Sequence, residues 1–317
     1  MKTQTLQRPS LKKIASADYA PHASVFGDEV VELLHPTGAE LLFDATAGQG
    51  GHSYLFLKKA PHVRVIAVDA DPVAVVAAQK KLAPFKNRAV VVEANFADTE
   101  QTLKRLGVSA VDKALFDLGW NSGQLSGKGM SFLVDEPLSM SYGATPASGF
   151  TASEILNEWD EETLANMLYG YGEERYARRI AHAVVERRAI EPIHTTLEFV
   201  EIIRDAVPAA YRRPSNRIHF ATRSFQALRM AVNDELGVIG RGVAGVWKHL
   251  SCGGRVAVIT FHSIEDRAVK RLFVELAKGE GKIITKKPLV PSRAEIIRNP
   301  RARSAKLRVI EKICKKQ

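Results

Sequence analysis

The chain has 317 residues, a formal net charge of +10 and 45% hydrophobic residues, enough for one large domain or two modest ones with ample core. No apolar stretch reaches the roughly eighteen residues of a membrane span, and residues 1–20 carry Lys and Arg without an apolar signal-peptide core, so they read as a flexible basic tail or a weak organelle-transit segment. The two cysteines, Cys252 and Cys314, are far apart in sequence and imply neither a disulfide framework nor a zinc site, which makes reducing cytoplasm the expected compartment.

The first ordered pattern is the most informative. The apolar run Leu41-Leu42-Phe43 ends in Asp44, then come Ala45-Thr46-Ala47-Gly48-Gln49-Gly50-Gly51 and a helical pattern from His52 to Lys59. A second apolar run, Val63 to Val68, ends in Asp69. Strand, glycine turn, helix and acid-tipped strand form one half of a nucleotide-binding α/β sheet, in which the second acid suits the two hydroxyls of a ribose. The third glycine of the dinucleotide fingerprint falls on Ser53, so the match to a pyrophosphate loop fails. A carboxylate at Asp44 disfavours a pyrophosphate and can orient an ammonium, directly or through water, which points to S-adenosylmethionine rather than NAD.

The alternation continues. Asp71-Pro72 opens a helix through Leu82, Ala89 to Val92 is a strand, Thr99 to Leu106 a helix, and Lys113 to Phe116 a strand ending at Asp117. From Gly119 to Gly149 the chain reads as a long loop, and from Thr151 to about Tyr211 it is helical, with stretches opening at Ser153 and Asp160 and spanning Glu174 to Glu186 and Thr195 to Val207. Gly253-Gly254 then feeds a strand, Arg255 to Thr260, followed by a helix start at Ser263 and Asp266 resembling a capping box; Lys282–Thr285 and Leu307–Ile310 read as a closing strand pair. The prediction is therefore an α/β, doubly wound parallel sheet of about seven strands with a helical module inserted after the fourth.

Charge is unevenly placed. Residues 278–317 hold 13 Lys plus Arg against 3 acids, while residues 1–277 balance. A basic strip on a near-neutral body suits phosphate backbones, and Arg298, Arg301 and Arg303 lie in the loop around Asn299-Pro300. No lysine occurs between Lys128 and Lys248, so every strong positive charge there is an arginine, whose planar fork pairs with phosphate and stacks on bases. Arg178, Arg179, Arg187 and Arg188 have acids at helical spacing; Arg212, Arg213, Arg217 and Arg223 have few and are better nucleic-acid candidates.

These blocks, in order, resemble a known family: His22-Ala-Ser-Val, Gly50-Gly51-His52-Ser53, Asp117-Leu118-Gly119, Tyr171-Gly172-Glu173-Glu174-Arg175-Tyr176-Ala177, Arg223-Ser224-Phe225-Gln226-Ala227-Leu228-Arg229, Phe261-His262-Ser263-Ile264-Glu265-Asp266-Arg267 and Asn299-Pro300-Arg301-Ala302-Arg303-Ser304. The chain is similar, from about Pro21 to Ile313, to the bacterial small-subunit ribosomal RNA cytosine-N4-methyltransferases, the MraW or RsmH family. The resemblance implies a class I S-adenosylmethionine-dependent methyltransferase fold (Rossmann-like), with residues 21–132 and 215–317 as the methyltransferase domain and 133–214 as an inserted helical substrate-recognition domain. It implies S-adenosyl-L-methionine as cofactor, small-subunit ribosomal RNA or the assembling small ribosomal subunit as partner, and methylation of a cytosine amine in the decoding region. Cofactor contacts carry over to Gly50, Gly51, His52, Asp69, Phe96, Asp117 and Gln124.

One loop departs from the pattern. The family's Pro-Leu-Asp-Met-Arg-Met is Pro137-Leu138-Ser139-Met140-Ser141-Tyr142 here, and Lys128–Phe132 and Trp120-Asn121 are also altered. Asp117, at the carboxyl end of the fourth strand, is the candidate proton acceptor or a cofactor contact. His262 and Ser263 are candidate substrate contacts or a helix cap with a packed imidazole, and Arg217, Arg223, Arg229, Arg301 and Arg303 are candidate contacts to the nucleic acid. A nicotinamide dehydrogenase and a non-catalytic RNA-binding assembly factor are the competing readings. A DNA amino-methyltransferase would carry Pro-Pro-aromatic after the fourth-strand acid, where this chain has Leu118-Gly119-Trp120.

Overall fold

The computed structural model describes residues 24–119, 127–143, 145–213, 215 and 218–314. The basic tail 1–20, Gln124 and Arg217 lie outside them. Seven strands, β1 (Leu41–Asp44), β2 (Arg64–Asp69), β3 (Ala89–Glu93), β4 (Val111–Asp117), β5 (Leu250–Thr260), β6 (Gly281–Ile283) and β7 (Lys306–Lys312), form one sheet in the order β3-β2-β1-β4-β5-β7-β6. The first five run parallel, and β7 pairs antiparallel with both β5 and β6. Strand order reverses between β1 and β4, which opens a crevice at their carboxyl ends, where Asp44 and Asp117 stand. This is the class I methyltransferase arrangement expected above.

Buried residues on both faces explain why the parallel strands read as continuous apolar runs. One face packs α1 (Gly27–Leu34) and α2 (Gly51–Lys59) against Leu42, Val65, Leu115 and Ala257. The α3 helix (Pro72–Leu82) starts as predicted, with Asp71 accepting from the Val73 amide and Pro72 in the first turn. The opposite face covers Phe43, Phe116 and Val258; α4 (Thr99–Arg105) contributes Leu103 to it.

The inserted helices have their own core. The α5 (Ala152–Glu158), α6 (Glu161–Gly172), α7 (Ala177–Arg188) and α8 (Thr196–Ala206) helices bury Ile155, Leu164, Ile180 and Phe199 together. Capping boxes at Thr151–Glu154 and Thr195–Glu198 start α5 and α8. The α9 helix (Thr222–Val232), which lies beyond residue 214, shares that core through Phe225, Leu228 and Val232. The chain then returns to the sheet through α10 (Glu235–His249) and, after β5, α11 (Ser263–Ala277) and α12 (Arg293–Arg298).

Several local expectations are corrected. The helix expected from Glu174 begins at Ala177, because Glu173 takes a left-handed conformation (φ 51°) that ends α6, and buried Glu174 accepts from the Tyr176 amide and the Tyr211 hydroxyl. The cap of α11 is His262 rather than Ser263: its ring accepts from the Glu265 amide, and Glu265 reaches back to the His262 amide. Cys252 and Cys314, whose separation implied no disulfide framework, are joined in a disulfide with their Cα atoms 5.5 Å apart. The β5–β7 pairing closes the 62 residues between them, a proximity that sequence spacing does not reveal.

Part of the basic C-terminal strip also turns inward. Arg308 forms a bidentate pair with Asp266 (2.7 and 3.1 Å) and Lys306 joins it at 3.1 Å, both carboxylate and guanidinium being buried. Burial pushes the Asp266 carboxyl up, but the hydrogen bonds from Arg308 and Lys306 outweigh it and hold the carboxyl below its ordinary 3.8. Asp266→Ala leaves the Arg308 charge buried and unpaired, and should cost about 3–5 kcal/mol in urea unfolding. A lowered folded-state pKa makes the contribution complete above the unfolded value and lost as pH falls through the folded one. The wild-type advantage over the variant should therefore shrink only below about pH 4.

Candidate functional site

The loop between β1 and α2 is built so that backbone can meet a ligand. Gly48 and Gly50 have φ of 49° and 76°, a region in which a side chain would be strained, and Gly50 serves as the N-cap of α2. A Cβ on Gly48 would meet nothing within 4 Å, so the space over the loop is open, whereas one on Gly51 would strike the Ser24 side chain. Asp69, at the end of β2, fastens the loop: its carboxylate accepts from the Gly48 amide at 2.7 Å and the Asp71 amide at 2.9 Å. Burial pushes its carboxyl above the ordinary range, with those two amide bonds opposing. The open glycine turn and the acid beside it fit an adenosyl group with its ribose diol.

Beneath the loop lies a chain of polar groups. Asp44 is fully buried, accepting from the Ser53 hydroxyl at 2.6 Å and the Thr46 amide at 3.3 Å, so it braces the turn from below rather than facing a ligand directly. Thr46 in turn accepts from the Asp117 amide at 2.6 Å, which fixes the end of β4 against the loop. His52, on the first turn of α2, is 6% exposed and sets Nε2 3.3 Å from Asp117 Oδ2. Gly50, Gly51, His52, Asp69 and Asp117 are thus brought to one edge of the sheet.

Phe96 follows β3 and is partly buried, edge-on to Phe116 at a centroid distance of 5.8 Å. It therefore packs against the core on this face of the sheet while remaining partly open. Gly242 on α10 is what lets it sit there, since a Cβ would lie 2.7 Å from the Phe96 ring and 2.9 Å from its carbonyl oxygen. Gly242→Ala should displace Phe96 and destabilise the fold by about 1–3 kcal/mol, with a matching loss of cofactor affinity in calorimetry. Unchanged affinity in the folded variant would remove Phe96 from the binding rim.

The substrate-side candidates are divided by the structure. His262 caps α11, and Ser263 donates to Glu173 of the insert at 3.2 Å, a carboxylate also paired with Arg267. Hydrogen bonds from Arg267 lower the Glu173 carboxyl below its usual range against the opposing effect of burial. Arg223 donates to the Glu173 carbonyl at 2.8 Å, and Arg229 is held bidentately by buried Glu235 at 2.7 and 3.1 Å. Arg229 is thereby a strut inside the molecule. Arg301 and Arg303, on the turn before β7, are exposed.

Sequence reading missed Glu235 and the role of Tyr142. In the altered 137–142 loop the Tyr142 hydroxyl donates to Glu235 at 2.7 Å, so the loop joins insert and sheet domain through a buried carboxylate. Burial holds the Tyr142 phenol well above its ordinary pKa, so it stays a donor. Glu235, His262 and Glu265 bring possible ligand atoms within 4.8 Å of one another. Arg229 and Tyr142 already occupy Glu235, and backbone amides occupy Glu265, so this cluster is a polar joint and not an open cation site. The only hint in the sequence was that position 142 departs from the family pattern.

Comparison with known proteins agrees with this geometry. The model of the MraW methylase family matches residues 19–313. The chain is 45% identical over 312 residues to a protein of Heliobacterium modesticaldum named ribosomal RNA small subunit methyltransferase H, covering 92% of this chain and 98% of the relative. Proteins of the same name from Carboxydothermus hydrogenoformans and Synechococcus elongatus are 44% and 45% identical, each over 92% of this chain and over 98% and 95% of their own lengths. A family match across nearly the whole length, with the glycine loop and both crevice carboxylates in place, means that this chain belongs to the MraW methylase family.

Proposed function

We propose that this enzyme transfers the methyl group of S-adenosylmethionine to the exocyclic N4 amine of a cytosine in small-subunit ribosomal RNA. The observation that carries the reading is the placement of two carboxylates, Asp69 and Asp117, on the carboxyl edge of the sheet beside an open glycine turn. Gly48, Gly50 and Gly51 would pass backbone along the cofactor, Asp69 would take the ribose hydroxyls, and Phe96 and Gln124 would complete its binding. When bound, the cofactor supplies a methyl group already activated on a sulfonium. The protein's task is then to align an amine with it, a positioning effect that can contribute several kcal/mol.

Cytosine's amine is a weak nucleophile because its lone pair is delocalised into the ring. Asp117 is suited to accept a hydrogen bond from that N–H, localising the pair, and then to accept the proton. The target base leaves its stack at a cost of a few kcal/mol. Exposed Arg212 and Arg213 on the insert, with exposed Arg301 and Arg303, would meet flanking phosphates. Arg175, lying over the edge-packed rings of Tyr176 and Tyr211 at 4.7 and 4.8 Å, would add a stacking surface. The names of the relatives support small-subunit ribosomal RNA as the substrate. An assembling subunit would present the base already exposed.

Nucleoside mass spectrometry of ribosomal RNA from cells with and without the gene tests the reading. The expected result is loss of an N4-methylated cytidine in the small subunit, restored by the wild-type chain and not by Asp117→Ala. An unchanged nucleoside profile with intact RNA binding would favour a non-catalytic assembly factor.

A further inference from the structure

We propose that the exposed face of α11 is a track for the phosphates of the RNA strand flanking the target cytosine, with Lys270 and Arg271 as its contacts. The inference rests on the reading of ribosomal RNA as substrate, and it gives that RNA a surface on the sheet domain, apart from the insert. Arg267, Lys270, Arg271 and Val274 follow one another at three- and one-residue steps that keep them on one face of the helix, and all four are exposed. Among the described residues, Lys270 and Arg271 make no hydrogen bond or ion pair. Two adjacent cations therefore keep their full charge at the surface.

The helix sorts its charges. Of its three acids, Glu265 and Asp266 are turned inward: Glu265 accepts from the Phe261 and His262 amides, and Asp266 is held by Lys306 and Arg308. The third, Glu275, pairs with Lys278 at 2.7 Å. Arg267 pairs with Glu173, so the stripe begins where the insert meets the sheet domain. An open surface hollow of about 550 Å³, lined among the described residues by Arg267, Lys270, Arg271, Val274 and Glu275, gives the remaining positive charge a seat. Val274, 44% exposed, offers an apolar contact to a ribose or base. A run of phosphates pairs with both cations, whereas an apolar partner would cover them without a counter-charge.

Position relative to the crevice sets the role. In the sheet Ile259 of β5 lies opposite Asp117 of β4, and α11 starts four residues later at Ser263. The helix thus leaves from the carboxyl edge that holds the crevice carboxylates, and Lys270 and Arg271 lie about 10–12 Å along it. β7 brings Lys306 opposite Thr260, so exposed Arg303, three residues before it, arrives at the same edge. Phosphate contacts fix the register of a strand without reading its bases. On this face they would hold the strand beyond the target while the crevice receives the cytosine.

The test is Lys270→Gln combined with Arg271→Gln in the full chain, with fluorescence anisotropy on a transcript of the decoding region across a salt series. Two lost phosphate contacts should make the log–log salt dependence shallower by about 1.4 and raise the dissociation constant on the order of tenfold near physiological salt. Affinity for S-adenosylmethionine and the circular dichroism spectrum should not change. With small subunits from cells lacking the gene, KM for the particle should rise while the single-turnover rate at saturation holds. Lys58→Gln with Lys80→Gln removes the same charge from α2 and α3, on the opposite face of the sheet, and should have far less effect. Wild-type RNA affinity in the α11 variant, or an equal loss in the Lys58 and Lys80 variant, overturns the proposal. So does weakened binding to the particle with unchanged binding to the transcript, which would assign the face to a ribosomal protein. If the wild-type chain binds S-adenosylmethionine but neither binds nor methylates the RNA, the substrate reading itself fails; if it methylates the RNA and the α11 variant does so identically, only the track is lost.

Discussion

Asp69→Ala should raise the dissociation constant for S-adenosylmethionine by about a hundredfold or more, because two hydroxyls lose a charged acceptor worth on the order of 1.5–3 kcal/mol each. The same change removes the acceptor of the Gly48 and Asp71 amides, so the glycine turn loosens as well. The sheet itself should survive, since β2 keeps its pairings with β1 and β3. Calorimetry with the cofactor, alongside circular dichroism of the variant, checks both halves. Burial raises the Asp69 carboxyl above the ordinary range. Cofactor affinity should therefore begin to fall, on acidification, at a pH above the usual aspartate value, because the protonated group is a poorer partner for a diol. Tight binding to Asp69→Ala would move the ribose elsewhere and dismantle the pocket assignment.

Asp117→Ala is the second large effect. Loss of a positioned proton acceptor typically lowers rate by about 10²–10⁴-fold, and the alanine cannot orient the amine either. Single-turnover methyl transfer with saturating cofactor isolates this from binding. If the loss appears entirely in cofactor affinity, Asp117 is a binding group and another residue takes the proton. The fold should tolerate the substitution, because the bond from its backbone amide to Thr46 does not involve the side chain.

Much of the site was legible in the chain. Asp44, the Gly48–Gly51 turn, Asp69 and Asp117 sit at the ends of apolar runs, and a parallel strand buried on both faces leaves just such a run. The caps at Asp71, Thr151 and Thr195 obeyed local rules and were placed within a residue or two of expectation. Local rules failed where a local pattern met a distant partner. The Ser263–Asp266 spacing resembled a capping box, but Asp266 is drawn to Arg308 and Lys306 on β7, which leaves the cap to His262 and Glu265. Arg229 was a candidate for nucleic acid until Glu235, six residues on and across a left-handed turn at Asp234, folded back to hold it.

Sequence by itself determined the class of sheet, the glycine turn after β1 and the helical insertion after β4, because strand, turn and helix patterns depend on neighbours a few residues apart. Tertiary structure alone decided which arginines face solvent and which brace the interior. It also joined Cys252 to Cys314, turned Asp44 inward beneath the loop, and set His52 against Asp117. Each of these depends on distances between segments far apart in the chain, and those distances are fixed by packing of the whole sheet rather than by any local preference.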